Sequence, residues 1–279
     1  MKKIRSSLLW IVFAGISAVL LAPVLFLVTG SLMTAGEFAR TYGGNLPAFP
    51  AVVPRMASPE QYGTLLLNTP GYLIAFWNTL LIAVCIGLGQ IAVGLPCAFA
   101  MAKGKIRCRV LFFLYIVMMM MPFQVTMLPM YRLVKWFGMF DSRTSLIIPE
   151  IFAPFTVFLL VQFIRKLPDE MMEAAYLETK NPMTILCRVV APLVRPGINA
   201  ALILSFVETW NMVEKPLLYL TSEELYPLGM LLSKANQTYS VTAMAGSVLY
   251  ILPVYLLWYG YQDEICQSIA NLNTFTKKG

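Results

Sequence analysis

Long apolar runs and short polar segments alternate along this chain. Apolar residues dominate about residues 8–28, 77–101, 110–130, 145–164, 198–220 and 243–261. Each run is near the roughly 20 residues that cross a bilayer as a helix. The pattern predicts an all-α membrane protein with six transmembrane helices and both termini on one side. Pro96, Pro122, Pro129, Pro149, Pro154 and Pro253 fall inside runs and predict kinked spans. Gly87, Gly89 and Gly94 in the second run allow close helix approach. The first connection, residues 29–76, is rich in proline. Ser58 and Pro59 start a short interfacial helix there, with Tyr62, Leu65, Leu66 and Leu67 on one face. Tyr72, Phe76 and Trp77 suit an aromatic belt.

The polar stretch at 167–197 breaks the pattern most strongly. It reads LPDEMMEAAYLETKNPMTILCRVVAPLVRPG. Pro168 suits the first helical position, where its missing N–H costs nothing. Asp169 and Glu170 place negative charge in the first turn, where the helix dipole favours it. The helix should fail near Lys180, because Asn181 precedes Pro182 and is pushed out of the α region. Asn181 then caps a second helix that ends before Pro192. The expected product is a helix–turn–helix held between the fourth and fifth spans.

Composition sharpens the class. The 279 residues are 58% hydrophobic and 13% charged, with mean hydropathy +0.71, more apolar surface than a soluble domain of this size hides. The net charge of +7 raises a nucleic-acid reading. Its distribution answers that: 14 of the 21 basic residues fall in the Met1–Arg5 start, Lys103–Arg109, Arg165–Arg195 and the last residues. Basic residues collect on the cytoplasmic side, so both termini and the helix pair are expected in the cytoplasm, residues 29–76 outside, and no nucleic acid is bound. The apolar run after Met1–Arg5 is longer than a signal-peptide core and ends in no small-residue cleavage site, so it is read as a retained span. Cys85, Cys97, Cys108, Cys187 and Cys266 form no C-x-x-C pair, and neither a disulfide nor a metal site is expected. There is no histidine for a proton relay. No phosphate loop, nucleophile elbow or H-E-x-x-H motif occurs, so an enzyme is not expected.

The central stretch resembles the cytoplasmic coupling loop of permease subunits of ATP-binding-cassette importers. Glu173-Ala174-Ala175 matches that loop's Glu-Ala-Ala triplet, and Pro192 follows at the family's spacing. Glu178 stands at the usual aspartate, and Val189 and Ala191 replace isoleucine and leucine. Thr179 stands where the family has glycine; Asn181, tolerant of a left-handed backbone, is the substitute expected at the turn. Trp77-Asn78-Thr79, Lys103–Arg109, Trp210-Asn211 and Pro216-Leu217 are similar to the carbohydrate branch, in particular its smaller maltose-type permease. The likeness covers about Trp77 to the end of the sixth span; the tail QDEICQSIANLNTFTKKG differs from the family's glycine-rich ending.

The resemblance implies a single transmembrane domain, residues 1–279, in the cell membrane. It implies a second homologous permease, two ATPase subunits that hydrolyse ATP, an extracytoplasmic solute-binding protein and no cofactor. Met171, Met172, Glu173, Ala174, Ala175, Tyr176, Leu177, Glu178 and Thr179 would meet the ATPase. Of these, Met171, Met172, Ala175 and Tyr176 are expected to form an adaptable apolar surface, and Glu173 to take charge-assisted bonds from an arginine. An amphipathic loop helix lying on the lipid surface is the alternative.

Charge inside a span is costly and often functional. Glu208 and Asn211 share a helical face, with Lys215 four residues beyond, so Glu208, Trp210 and Asn211 are candidates to line the translocation path. A structural hydrogen bond to a neighbouring span is the equal alternative. Glu150 and Glu214 are read as nearer the outer surface, solvated or paired. Phe76, Trp77 and Tyr255 suit sugar stacking or interface anchoring. Met118–Met121 is a packing surface. The function expected is a sugar-importer permease working by alternating access. The rivals are an ion-driven carrier, a non-transporting scaffold or insertase, and an importer of the same family for another solute.

Overall fold

The computed structural model describes residues 2–42, 54–104, 106–235 and 241–275. Lys105, residues 43–53 of the first connection, residues 236–240 of the last loop and the terminal Lys277-Lys278-Gly279 lie outside the described residues. In chain order the helices are α1 (Lys2–Ser31), α2 (Ala35–Tyr42), α3 (Glu60–Gly63, continued by a π-turn at Thr64–Asn68) and α4 (Pro70–Lys103). There follow α5 (Ile106–Met119), α6 (Phe123–Trp136), α7 (Thr144–Ile151), α8 (Pro154–Arg165) and α9 (Asp169–Glu178). Next come α10 (Pro182–Ile185, continued by a π-turn at Leu186–Val190), α11 (Ala191–Leu193) and α12 (Arg195–Trp210). The chain finishes with α13 (Glu214–Tyr219), α14 (Leu228–Ala235) and α15 (Val241–Phe275). No strand occurs among the described residues.

Val12–Ser31, Pro70–Lys103, Thr144–Arg165 and Val241–Gln262 are each long and apolar enough to cross a membrane. Two further spans are bent pairs, so the total reaches six only if each pair counts as one. The third run is not one helix: α5 and α6 meet at 100°. Pro122 causes this, with an extended ψ of 144° that opens α6 afresh. The fifth run ends at Trp210 rather than near Leu220. A helix continued through Pro216 would drive its ring into the carbonyl of Met212. Restarting at Glu214 puts Pro216 in a first turn, where no N–H is required. The second span starts at Pro70, ahead of the expected Trp77.

The chain divides into two compact units, residues 1–74 with 231–253 and residues 75–230 with 254–279. In the first unit, Ser31 and Tyr62 share a 2.7 Å hydroxyl–hydroxyl bond. The Thr242 hydroxyl donates to Gln61 Oε1 at 3.0 Å, and the Tyr72 hydroxyl donates to the Gly246 carbonyl at 3.0 Å. Of the expected apolar face, Leu65 is buried but Leu66 and Leu67 are exposed. The π-turn adds a residue to the turn and rotates them off the inner side.

In the second unit α4 is the spine. Leu95, Ala98 and Phe99 pack into a cluster with Leu160, Ile164, Ile185 and Val190. Ile82 and Ile86, nearer the other end, pack with Val134, Leu146, Tyr219 and Met230. Between the clusters the buried Gln90 donates to the Glu150 carbonyl at 2.9 Å and accepts the Thr156 hydroxyl at 2.7 Å. Pro154 has no N–H to offer that carbonyl, which accepts the Ala153 N–H at 3.2 Å as well as the Gln90 amide. Gly197 opens α12 so close to α8 that a Cβ would lie 2.6 Å from a Phe163 ring carbon.

The other end of α4 is tied to two loops. Asn78 donates to the Glu224 carbonyl at 2.7 Å, while its Oδ1 accepts Arg143 Nε at 3.0 Å and Nη2 at 2.8 Å. Thr79 accepts the Leu228 N–H at 2.7 Å. Asp141 adopts a left-handed φ of 54°. Its carboxylate accepts the Ser222 hydroxyl at 2.6 Å and the Ser222 and Thr221 N–H groups at 2.9 and 2.8 Å. Those bonds, the Ser222 hydroxyl first, hold its carboxyl well below the usual carboxylate range. A depressed folded value means the stabilisation is complete above the unfolded pKa of about 3.9 and fades as pH falls below it. We expect melting temperature to drop on acidification through that window. Asp141→Asn should be less stable at neutral pH and converge with the natural protein in acid, as read by melting in detergent.

Candidate functional site

Helix α9 is set by its two ends. Pro168 stands just outside it, with ψ 140°, so Asp169 rather than Pro168 is the first helical residue. The Lys103 ammonium, at the end of α4, donates to Asp169 Oδ1 at 2.6 Å and to the Leu167 carbonyl at 3.0 Å. One cation thus pins the start of α9 to the spine. At the other end Thr179 is extended, with φ −151° and ψ 138°. Any residue adopts that backbone, which explains why this loop does without glycine. Asn181 is not left-handed, as expected, but extended at φ −83° and ψ 111°. Its Oδ1 accepts the Met183 N–H at 3.0 Å, the cap expected for the second helix. That helix does not stop before Pro192. The π-turn at Leu186–Val190 widens the backbone ahead of the proline, and the chain stays helical to Leu193 before bending by 80° into α12.

The two faces of α9 differ. Met172 and Ala175 are buried, in one cluster with Ile164, Ile185, Leu186 and Val190. They hold the helix down and present no surface, unlike the expectation. Outward lie Met171, Tyr176 and Leu177, the last 90% exposed, with Glu173, Ala174 and Glu178 beside them. Met183 of α10 adds a further exposed apolar side chain. Thr179 is half-buried and accepts the Asn181 N–H at 3.2 Å. The stripe Met171–Ala174–Leu177 follows the i, i+3 spacing of one helical face, an apolar strip edged by acids. Nearby the Arg165 guanidinium lies 4.4 Å from the centre of the Phe112 ring.

The three path candidates do not act as one strip. Trp210 is fully buried, stacked on Phe206 at 5.2 Å and edge-on to Phe76 at 5.7 Å. Glu208 and Asn211 are exposed, and Asn211 donates back to the Val207 carbonyl at 2.8 Å. Lys215 turns away from them to an ion pair with Glu150. That pair was visible in sequence only as an acid and a base near Pro149 and Pro216; nothing in the spacing joined them. Gln124, exposed at the start of α6, carried no sequence signal.

Residues 90–267 match the inner membrane component of binding-protein-dependent transport systems. The chain belongs to that family. It is a membrane permease, and such permeases work with ATPase subunits and a solute-binding protein. Curated relatives include the arabinooligosaccharides transport system permease protein AraQ of Bacillus subtilis, 30% identical over 92% of both chains. The AraQ of Halalkalibacterium halodurans is 29% identical over 99% of this chain and 98% of its own. The sn-glycerol-3-phosphate transport permease UgpE of Shigella flexneri is 31% identical over 64% of this chain and 67% of its own. The fold matches a chain of a bacterial ABC transporter that imports the acidic polysaccharide alginate, with TM-score 0.79 and 21% identity over 94% of this chain and 96% of that one. A chain of the methionine ABC transporter MetNI matches with TM-score 0.56 and 20% identity, over 77% of this chain and 99% of its own.

The inward and outward faces of α9 separate stability from surface chemistry in this permease. Met172→Ala should cost about 2–5 kcal/mol, the usual price of emptying a packed methionine site. Leu177→Ala, on the exposed face, should stay within about 0.5 kcal/mol. Thermal melting of the purified permease checks both.

Proposed function

We propose that this permease imports a sugar or oligosaccharide by alternating access, and that α9 receives the movement of an ATPase subunit. The observation that carries the coupling reading is the build of α9. It is anchored from beneath by Met172 and Ala175 and at its start by Lys103, yet leaves Met171, Ala174 and Leu177 open to the outside. A helix so held moves as a rigid body with α4 and α8. Glu173 is exposed and without a bond among the described residues, ready to accept an arginine of the ATPase. The charge bias supports a cytoplasmic α9 and cytoplasmic termini.

The sugar reading is supported by the full-length likeness to the AraQ permeases and the fold match to the alginate importer. In it the chain pairs with a second, homologous permease, its lipid-facing helices embedded in the cell membrane. Two ATPase subunits sit beneath, and an extracytoplasmic binding protein delivers the solute. Thr179, at the family's usual glycine, ends α9 in an extended linker.

Glu173→Lys should leave the permease inserted and folded while the ATPase no longer co-purifies, or hydrolyses ATP without moving solute. Uptake of labelled arabinotriose, sn-glycerol 3-phosphate and methionine by the natural transporter identifies the solute class. Normal uptake in the Glu173→Lys variant would remove the coupling role, and uptake of methionine alone would remove the sugar.

A further inference from the structure

A groove of about 350 Å³ runs between α6 and α13, lined by Phe123, Gln124, Met127, Glu214, Leu217 and Leu218. Its size falls within the roughly 300–1,000 Å³ of small-molecule sites. Its place follows from α4. Gln90 lies twelve residues beyond Asn78 and thirteen before Lys103 on that helix. At ~1.5 Å per residue it is about 18–20 Å from each of those polar ends. Gln90 holds the Glu150 carbonyl, and the Glu150 carboxylate holds Lys215, the neighbour of Glu214. The groove is thereby tied, through Lys215 and Glu150, to Gln90 within the apolar length of α4.

Two polar side chains meet there without protein partners. Gln124 and Glu214 are exposed and make no hydrogen bond or ion pair among the described residues. A carboxylate facing lipid there is strongly disfavoured, so this face borders a water-filled path. Phe123, in the same lining, is half-buried, with the Lys215 ammonium 5.9 Å from its ring centre. Lys215 is held by Glu150, so the ring is braced by an ion pair rather than left to swing. A fixed aromatic ring beside an unpaired amide and an unpaired carboxylate suits a sugar. The ring takes the apolar face of a pyranose or furanose, and Gln124 and Glu214 bond its hydroxyls.

We propose that the α6–α13 groove is a carbohydrate subsite of the translocation path, contacted by Phe123, Gln124 and Glu214, with Lys215 and Glu150 as positioning residues. It rests on the sugar reading above. Oligosaccharide units pass over it one after another, and its shallow form allows release.

The test uses the complete transporter in proteoliposomes, with labelled arabinotriose and the binding protein outside. The readout is sugar imported per ATP hydrolysed. Phe123→Ala, Gln124→Ala and Glu214→Gln should each lower it about tenfold, the scale of losing one specific contact. Phe123→Tyr keeps a stacking ring and should retain import. Lys215→Ala should resemble Phe123→Ala, and Lys215→Arg should restore the ratio. Variants with the natural ratio overturn the subsite while leaving the sugar reading intact. Loss of the second permease from purified Phe123→Ala complexes also overturns it, because the face would then be a subunit contact. Failure of the natural transporter to import arabinotriose, with methionine imported, overturns both.

Discussion

A proline that breaks a span leaves a carbonyl without its donor, and in hydrocarbon that carbonyl must find another. Here Pro154 offers the Glu150 carbonyl no N–H, and that carbonyl accepts the Ala153 N–H and the Gln90 amide together. Much of the second unit follows from the Gln90 bond. It fixes the depth of α7 against α4, which fixes where the Glu150 side chain meets Lys215. That in turn sets α13 as a short helix folded back beside α7. Thr156 completes the group by donating to Gln90, so the amide is satisfied on both atoms.

Polar anchors on α4 repeat this logic at three levels. Asn78 and Thr79 tie one end to the loops carrying Arg143 and Glu224. Gln90 ties the middle, and Lys103 ties the far end to α9. Between the levels the contacts are apolar and can slide; at the levels they are directional and cannot. In the proposed coupling, a push on α9 would be delivered to a helix whose other attachments hold the proline breaks. This is the mechanical content of the proposed coupling: short helices clamped to one stiff spine rather than a chain of soft contacts.

The presence of apolar runs long enough to span, and the helix–turn–helix between the fourth and fifth, were legible in the residue pattern. Span length and periodicity are local properties, written in consecutive residues. So was the Asn181 cap, because a side chain bonding two residues ahead needs no tertiary partner. The family could be read from Glu173-Ala174-Ala175 and its companions, which stand close together in the chain.

What the sequence by itself determined is that apolar helices alternate with short polar segments, and which loop is polar enough to meet a partner. What only the tertiary structure decided is orientation. Met172 turned inward while Leu177 faced out. The residue at the glycine position needed no glycine, because the turn was extended. Trp210 was enclosed by Phe206 and Phe76, while Lys215 left its own helical strip for Glu150, some 65 positions back in the chain. Such pairings depend on how proline breaks re-aim the backbone in three dimensions. A one-dimensional pattern records that a break occurs but not the angle it takes.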